Sequence, residues 1–520
     1  MTLFRRFFPA LQLVVLLLLT VWVRCWNASD VFAGGNIFFA DPDCYSRMTR
    51  VREVYEHPGR VVHRHDFENW PEGTQPHTTA PFDYLTAGLA AGIRPFAGEP
   101  QRALDWAGAA VSPLLGVVAA LFLWGWAGAM GGRWRGTVLF LFAVSPILVH
   151  GTALGRPDHQ SLLLLCIAAG LGAEARLLRG ASRGWALAGG LAWGFGIWVS
   201  MYEPLVLLAL SLVLGVVLLG RGFFTRERAV WAGALVAVLA VALGVEGWHS
   251  PVPSPEIRAY FPQWSRTVGE LARTPLSAML HWTGWLLLAA PLLLGWTGWK
   301  LRDRVAWFWL VQLGALAALT AWQARWGYFL ALGFAMALPW MASAFPRGWI
   351  ASLVFAVSLW PVAGEWDDRL FDASKVAARE EQRRDNLALY DVAQRLRAPR
   401  RLPVLAPWWQ SPALAYWSGQ PCVAGSSHES LPGTVDASRF YLSRDPAEAE
   451  AILAKRRVAC VVAYDAGRVA SVSSAILGQP AQEGNMAEIL YERPHSAPPF
   501  LKLAYSNPAF RVFLRPAGVE

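Results

Sequence analysis

Charge is scarce in this chain of 520 residues: 16% of them are charged, against roughly 25% in an ordinary soluble domain. With 55% hydrophobic composition and a mean hydropathy of +0.32, that shortage excludes a routine soluble fold. Cysteine is nearly as sparse. Five residues with no CxxC and no metal-ligand spacing exclude a zinc scaffold. Cys422 and Cys460 share one hydrophilic region, as a pair or as two free thiols. No internal repeat or low-complexity tract occurs. No small-residue cleavage site follows the first apolar run, so Arg5-Arg6 and Leu11 to Val23 are expected to form an uncleaved first span.

What the chain has in abundance is long apolar runs. They lie near 8–26, 104–128, 134–152, 159–178, 184–200, 203–220, 229–247, 279–299, 305–321, 325–343 and 347–363. Runs of this length suit the ~30 Å hydrocarbon core of a bilayer, so about 11–13 transmembrane helices are expected. Twenty-eight tryptophans fit the same class, because Trp gathers at membrane–water interfaces. The stretch Tyr84 to Phe96 is too short and broken to span and reads as a surface helix. A net charge of +9 would suit nucleic acid, but the excess is Arg placed singly or in pairs at the ends of apolar runs. That pattern is a topology signal and argues against nucleic-acid binding.

Arg5 and Arg6; Arg133 and Arg135; Arg176, Arg179 and Arg183; Arg221, Arg226 and Arg228; Lys300, Arg302 and Arg304; and Arg347 all fall on one side when the spans alternate. The positive-inside rule makes that side cytoplasmic. Three hydrophilic regions then share the external side: about 27–103, about 248–278 and 365–520. The fold class expected is a polytopic α-helical membrane domain over 1–364, followed by an external soluble α/β domain over 365–520. Within the latter, Lys375 to Leu396 and Ala447 to Arg456 read as helices and Val458 to Tyr464 as a buried strand. Arg far exceeds Lys, and the expected location is a bacterial inner membrane with this domain periplasmic.

Acidic residues recur at the external ends of the spans. Asp41-Pro42-Asp43-Cys44-Tyr45 follows the first span, and two carboxylates two apart can share a hard divalent cation. An isolated Asp-Pro-Asp is more often a solvated turn. Arg156-Pro157-Asp158-His159-Gln160 fills a very short external connection, where helix capping is the plain reading but so many ionisable groups are costly unless used. Thr267-Val268-Gly269-Glu270 lies in a Pro- and aromatic-rich loop that reads as a partly ordered lid, with Gly269 as a hinge. Arg325 opens a span on the same side, against the charge trend; an interfacial snorkelling Arg is its bland reading.

The order of these motifs resembles the catalytic subunit of oligosaccharyltransferase, in the polyprenyl-linked-sugar (GT-C) glycosyltransferase superfamily. The likeness is carried by Asp43-Cys44-Tyr45, by Pro71-Glu72-Gly73 through His77 to Pro81, and by Asp158-His159-Gln160. It continues through Thr267-Val268-Gly269-Glu270, Arg325-Trp326-Gly327-Tyr328 and Trp408-Trp409. The resemblance implies a metal-assisted membrane enzyme that moves a glycan from a polyprenyl-pyrophosphate carrier to an external acceptor, protein or peptide. It implies Asp43, Glu270 and Asp158 as catalytic residues, and Mn2+ or Mg2+ held by Asp43, Asp158, Gln160, Asp41 and His159. Arg325, His77, Arg156 and Tyr328 would bind the lipid pyrophosphate; Trp408, Trp409, Gln410 and Glu270 would bind the acceptor. Two departures stand out. Gln160 replaces a His or acid, and Trp408-Trp409-Gln410-Ser411-Pro412 replaces Trp-Trp-Asp-Tyr-Gly, which leaves an Asn acceptor in doubt. Three other readings stay open: a relative using a polyprenyl-monophosphate-linked sugar, a transporter or lipid flippase, and an inactive scaffold.

Overall fold

The structure, a computed structural model, describes residues 2–76, 80–180, 182–247 and 254–516, with side chains from residue 8 onward. Each of the eleven apolar runs coincides with a helix or a broken pair of helices. Among the described residues, six helices are long and apolar enough to cross a membrane, and a seventh span forms if one bent pair is taken together. Two of the other runs are broken at a glycine or a proline. The bent pair, Leu276–Thr283 and Leu286–Lys300, turns by 76°. Gly284 sits at the corner with φ +90°, and a Cβ there would lie 2.5 Å from the Ser358 carbonyl oxygen. Only glycine allows that approach.

The third run breaks between Arg135–Val144 and Pro146–His150. Pro146 has no N–H to give the Phe142 carbonyl. The buried Arg24, at the end of the first helix, supplies the missing donor: its Nη2 donates to Phe142 O at 3.3 Å and its Nη1 to Ala143 O at 3.4 Å. Trp366 Nε1 donates to Val144 O at 2.7 Å. A kink inside an apolar run persists when its freed carbonyls find such partners.

Helix burial is uneven. The apolar window of Gln160–Arg179 is 78% buried, whereas that of Arg226–Glu246 is 17% buried and turns Val236 and Val241 outward. At one end of the bundle the basic connections meet: Arg179 donates to Met130 O at 2.8 Å and pairs with Asp303 at 3.4 Å.

At the other end the three hydrophilic regions pack together. Helix Pro42–Glu56, helix Ala80–Ala97 and residues 389–513 share one apolar core, which includes Tyr45, Met48, Ala90, Leu405 and Phe513. The stretch expected as a surface helix over Tyr84 to Phe96 is a longer helix, Ala80–Ala97, and one face of it, with Phe82, Thr86 and Ala90, is buried. Helix Pro255–Trp264 docks on helices Leu431–Leu442 and Ala466–Leu477 through Trp264, Leu431, Val435 and Ile476. The C-terminal region holds the expected helices at Ala373–Arg395 and Pro446–Lys455 and the expected strand at Cys460–Ala463. That strand lies between Val404–Leu405, parallel, and Arg511–Leu514, antiparallel, with Lys502–Ser506 at the edge. Cys422 and Cys460 are buried free thiols.

Candidate active site

A cleft of about 430 Å3 opens where the hydrophilic regions meet the ends of the spans. Asp43, Asp158, Glu270, His159, Gln160, Arg325 and Trp408 line it, together with Arg47, Arg50, Ser426 and Trp264. Residues from five distant parts of the chain therefore share one cavity, as the sequence suggested for the three acids.

Asp43 reaches it from the first turn of helix Pro42–Glu56. Asp41 caps that helix, its side chain accepting from Cys44 N at 3.0 Å, and Pro42 fixes the first turn. One and two turns later, Arg47 and Arg50 lie on the same face. They hold the buried Asp83 at 3.4 and 3.5 Å, and Arg47 also lies over the Phe82 ring. Sequence reasoning missed this pair. The signal was an i, i+4, i+7 spacing from Asp43, which places three ionisable groups on one helical stripe.

Asp158 is buried. Burial opposes its charge, but His159, Arg156 and Arg47 outweigh that and keep it ionised. His159 Nδ1 lies 2.7 Å from Asp158 Oδ1 and 3.0 Å from Arg47 Nη2. Asp43 behaves in the opposite way. Its side chain is accessible at the cleft surface, yet the enclosing walls, with Asp41, Asp158 and Glu270 nearby, push its carboxyl up to about 8, and the Ser426 hydroxyl only partly relieves this. Glu270 is raised as well, first by burial, with Arg156 acting against it. It comes from a single 3-10 turn, Gly269–Leu271, whose following residue Ala272 accepts from Ala324 N at 2.9 Å.

Arg156 joins the acids to one another. Its Nη1 lies 2.7 Å from Asp41 Oδ2, and its Nη2 lies 3.5 Å from Glu270 Oε1 and 3.7 Å from Asp158 Oδ2. Nη1 also donates to His150 Nε2 at 3.1 Å, which leaves the His150 proton on Nδ1, facing the Tyr328 oxygen at 2.8 Å. Arg156 and Tyr328, expected to grip pyrophosphate, are instead committed behind the cleft wall. Arg325 does line the cleft, with its Nη2 ion-paired to the buried Glu203. His77 lies outside the described residues. Trp408 faces the cleft, whereas Trp409 lies under the Arg468 guanidinium at 5.3 Å and the Gln410 side-chain oxygen is buried without a partner.

The donor set does not fit a divalent cation. Among the described residues, no group of three or more His, Cys, Asp and Glu side chains gathers to hold a metal. Asp41, Asp158 and Glu270 already converge on Arg156, and His159 is turned to Asp158 and Arg47. Gln160 Oε1 is buried and unpartnered and Asp43 stands in the same cleft, so one carboxylate and one neutral oxygen remain, fewer than the three or more protein ligands that the acids committed to Arg156 would have completed.

No protein-family model matches the chain, and no curated protein matches it in sequence. Solved structures do. Oligosaccharyltransferase AglB from Archaeoglobus fulgidus, in complex with an inhibitory peptide and a dolichol-phosphate, superposes with a TM-score of 0.66 at 14% identity, over 99% of this chain and 75% of that one. The same oligosaccharyltransferase in complex with Zn and sulfate gives 0.65 at 16%, over 97% and 73%. ArnT from Cupriavidus metallidurans, bound to undecaprenyl phosphate, gives 0.57 at 14%, over 97% and 98%. These neighbours are GT-C glycosyltransferases. At such identities the likeness establishes the fold: the chain is an integral membrane protein with the GT-C architecture.

Proposed function

We propose that the chain is a membrane glycosyltransferase that moves a sugar or glycan from a polyprenyl-phosphate-type carrier to an external acceptor. Its setting would be a bacterial inner membrane, with residues 365–520 in the periplasm. One observation carries this reading: a single cleft in a GT-C fold joins a carboxylate, Asp43, to the arginines 47, 50 and 325.

That arrangement suits the chemistry. The bond from the anomeric carbon to the carrier's phosphate oxygen breaks, and an acceptor N or O forms the new bond. The leaving phosphate keeps the electron pair, and Arg47, Arg50 and Arg325 hold its charge. Asp43, ionised, accepts the acceptor's proton. Positive charge builds on the sugar ring as the old bond stretches, and the surplus of carboxylates around Asp43 favours it. Gln160 has an amide oxygen free for a sugar or acceptor hydroxyl, and Trp408 and Glu270 flank the acceptor side. Mn2+ or Mg2+ is the cofactor that the resemblance implies, but with the acids committed to Arg156 no step here passes through a metal.

A polyprenyl-monophosphate donor is the second reading. Near-complete mutual coverage with ArnT, in a structure holding undecaprenyl phosphate, favours it. The test is transfer from labelled polyprenyl-phosphate and polyprenyl-pyrophosphate sugars, in vesicles holding the purified chain, to a panel of peptide and lipid acceptors. Transfer by the wild type and not by Asp43→Asn is expected. Equal transfer by both proteins overturns the reading, and so does movement of the lipid without any acceptor.

A further inference from the structure

Three carboxylates from three separated segments usually meet around a metal ion; in this chain they meet around a side chain. Asp41 caps helix Pro42–Glu56, Asp158 precedes helix Gln160–Arg179, and Glu270 sits in the 3-10 turn Gly269–Leu271. Each has an oxygen within 2.7–3.7 Å of Arg156. The guanidinium is itself held from behind by His150, which in turn faces Tyr328. Arg156 is 7% exposed.

We infer that the Arg156 guanidinium is a built-in replacement for a divalent cation, occupying the point where Asp41, Asp158 and Glu270 converge. The inference deepens the glycosyltransferase reading and rests on it only for the consequence that transfer needs no added metal.

The fit is chemical as well as geometric. A guanidinium is planar, permanently charged and weakly hydrated, and it offers donors in a fan that several carboxylates can share. It binds no water that would have to be stripped and cannot be removed by chelation. Gly155, with φ +71°, packs a would-be Cβ 2.6 Å from the Val31 side chain and 3.1 Å from Phe38 O, so the backbone that delivers Arg156 is pinned against the segment leading to Asp41. Pro157 restricts the same residue from the other side, disfavouring helical backbone at 156. Arg156 is thus fixed on both flanks, as a resident ion would be. Gln160, whose amide oxygen is unpartnered, completes no dication shell alone but can still meet a substrate hydroxyl.

The experiment uses the full chain in detergent and needs no activity. Mn2+ binding is followed by electron paramagnetic resonance of the free ion, in wild type, Arg156→Ala, and Arg156→Ala combined with Glu270→Gln. Wild type should leave Mn2+ unbound up to millimolar levels. Arg156→Ala should bind one Mn2+ at least about 100-fold more tightly, because the acids lose their counter-cation, and the added Glu270→Gln should take that gain away. Micromolar binding by wild type that is lost in Asp158→Asn overturns the inference. So does Arg156→Ala that unfolds cooperatively yet binds no Mn2+. If Arg156→Ala does not fold, the wild-type titration decides alone. Transfer separates the two ideas. Activity abolished by EDTA and restored by Mn2+ sinks the arginine assignment and spares the glycosyltransferase. Expected Mn2+ behaviour with no transfer from any lipid-linked sugar does the reverse.

Discussion

Two buried arginines hold the hydrophilic half of this protein together, and their surroundings are inverted. Arg456, 2% exposed, lies in the C-terminal region and binds Asp436 through Nε at 2.7 Å. It also reaches back to Asn69 and to the Trp70 carbonyl at 3.2 Å, and to Glu72. Lys455 at 2.7 Å and Arg439 at 3.6 Å add to it, so one buried acid is met by three cations. Around Arg156 the roles are reversed: one guanidinium is shared by three acids, of which Asp158 also meets His159, and Asp43 lies nearby. The first cluster is over-satisfied and ties residues 69–72 to the C-terminal region, so it clamps a loop. The second crowds carboxylates and arginines beside an open cavity and perturbs their titration, which is common at sites of chemistry.

Two substitutions break the comparison most sharply. Asp43→Asn removes the cleft's titrating group at nearly constant shape and should cut transfer by about 10²–10⁴-fold, the usual worth of a positioned base. Its unfolding midpoint should not fall. Asp436→Asn should do the opposite. It strips buried Arg456 of its main partner and should cost about 3 kcal/mol of stability, read as a lower midpoint in thermal unfolding, with transfer per folded molecule intact. If Asp43→Asn unfolded the protein and Asp436→Asn silenced it, the functional and structural labels would have to be exchanged.

Raising the pH sharpens the same contrast. In the folded chain the Asp43 carboxyl is pushed up to about 8, above its unfolded value, because the cleft walls desolvate it and the neighbouring acids penalise its charge. Two consequences follow by linkage. If the ionised form accepts the proton, transfer should climb with pH and level off above about 8. Stability should move the other way: the contribution from protonated Asp43 is full below the unfolded pKa and is lost as pH rises through 8. Thermal unfolding at pH 6.5 and 9 should therefore show a fall for wild type that Asp43→Asn lacks. A flat transfer profile across this range would remove Asp43 as the base.

Much of this was legible in the residues, for identifiable reasons. Apolar runs bounded by arginine fix where helices lie, because hydrocarbon leaves a backbone few alternatives. Hence each run has its helix, and Asp43, Asp158 and Glu270, spread over more than two hundred residues, do meet. What stayed hidden depends on tertiary distance. Nothing local tells that Arg24 completes the helix broken at Pro146, or that Glu203 lies under Arg325. Arg156 reads as a cation for phosphate until the three acids around it are seen. The Arg47–Arg50 stripe was readable in its spacing, but a buried acid, Asp83, is what aims it.

The smallest expected effect separates two adjacent tryptophans. Trp408 and Trp409 meet edge to face with centroids 6.0 Å apart, yet only Trp408 lines the cleft beside Glu270 and Ser426. Trp409 is turned to Arg468. Trp408→Ala should therefore raise the acceptor KM about three- to tenfold, the worth of about 1 kcal/mol of aromatic contact, and leave the donor KM alone. Trp409→Phe keeps a ring for Arg468 and should leave both values within about twofold, since it removes no contact in the cleft. The pair tests whether the cleft wall, rather than the Trp-Trp motif as a unit, meets the acceptor. Acceptor KM rising equally in both variants would restore the motif as a unit and move the acceptor towards Arg468, away from Asp43.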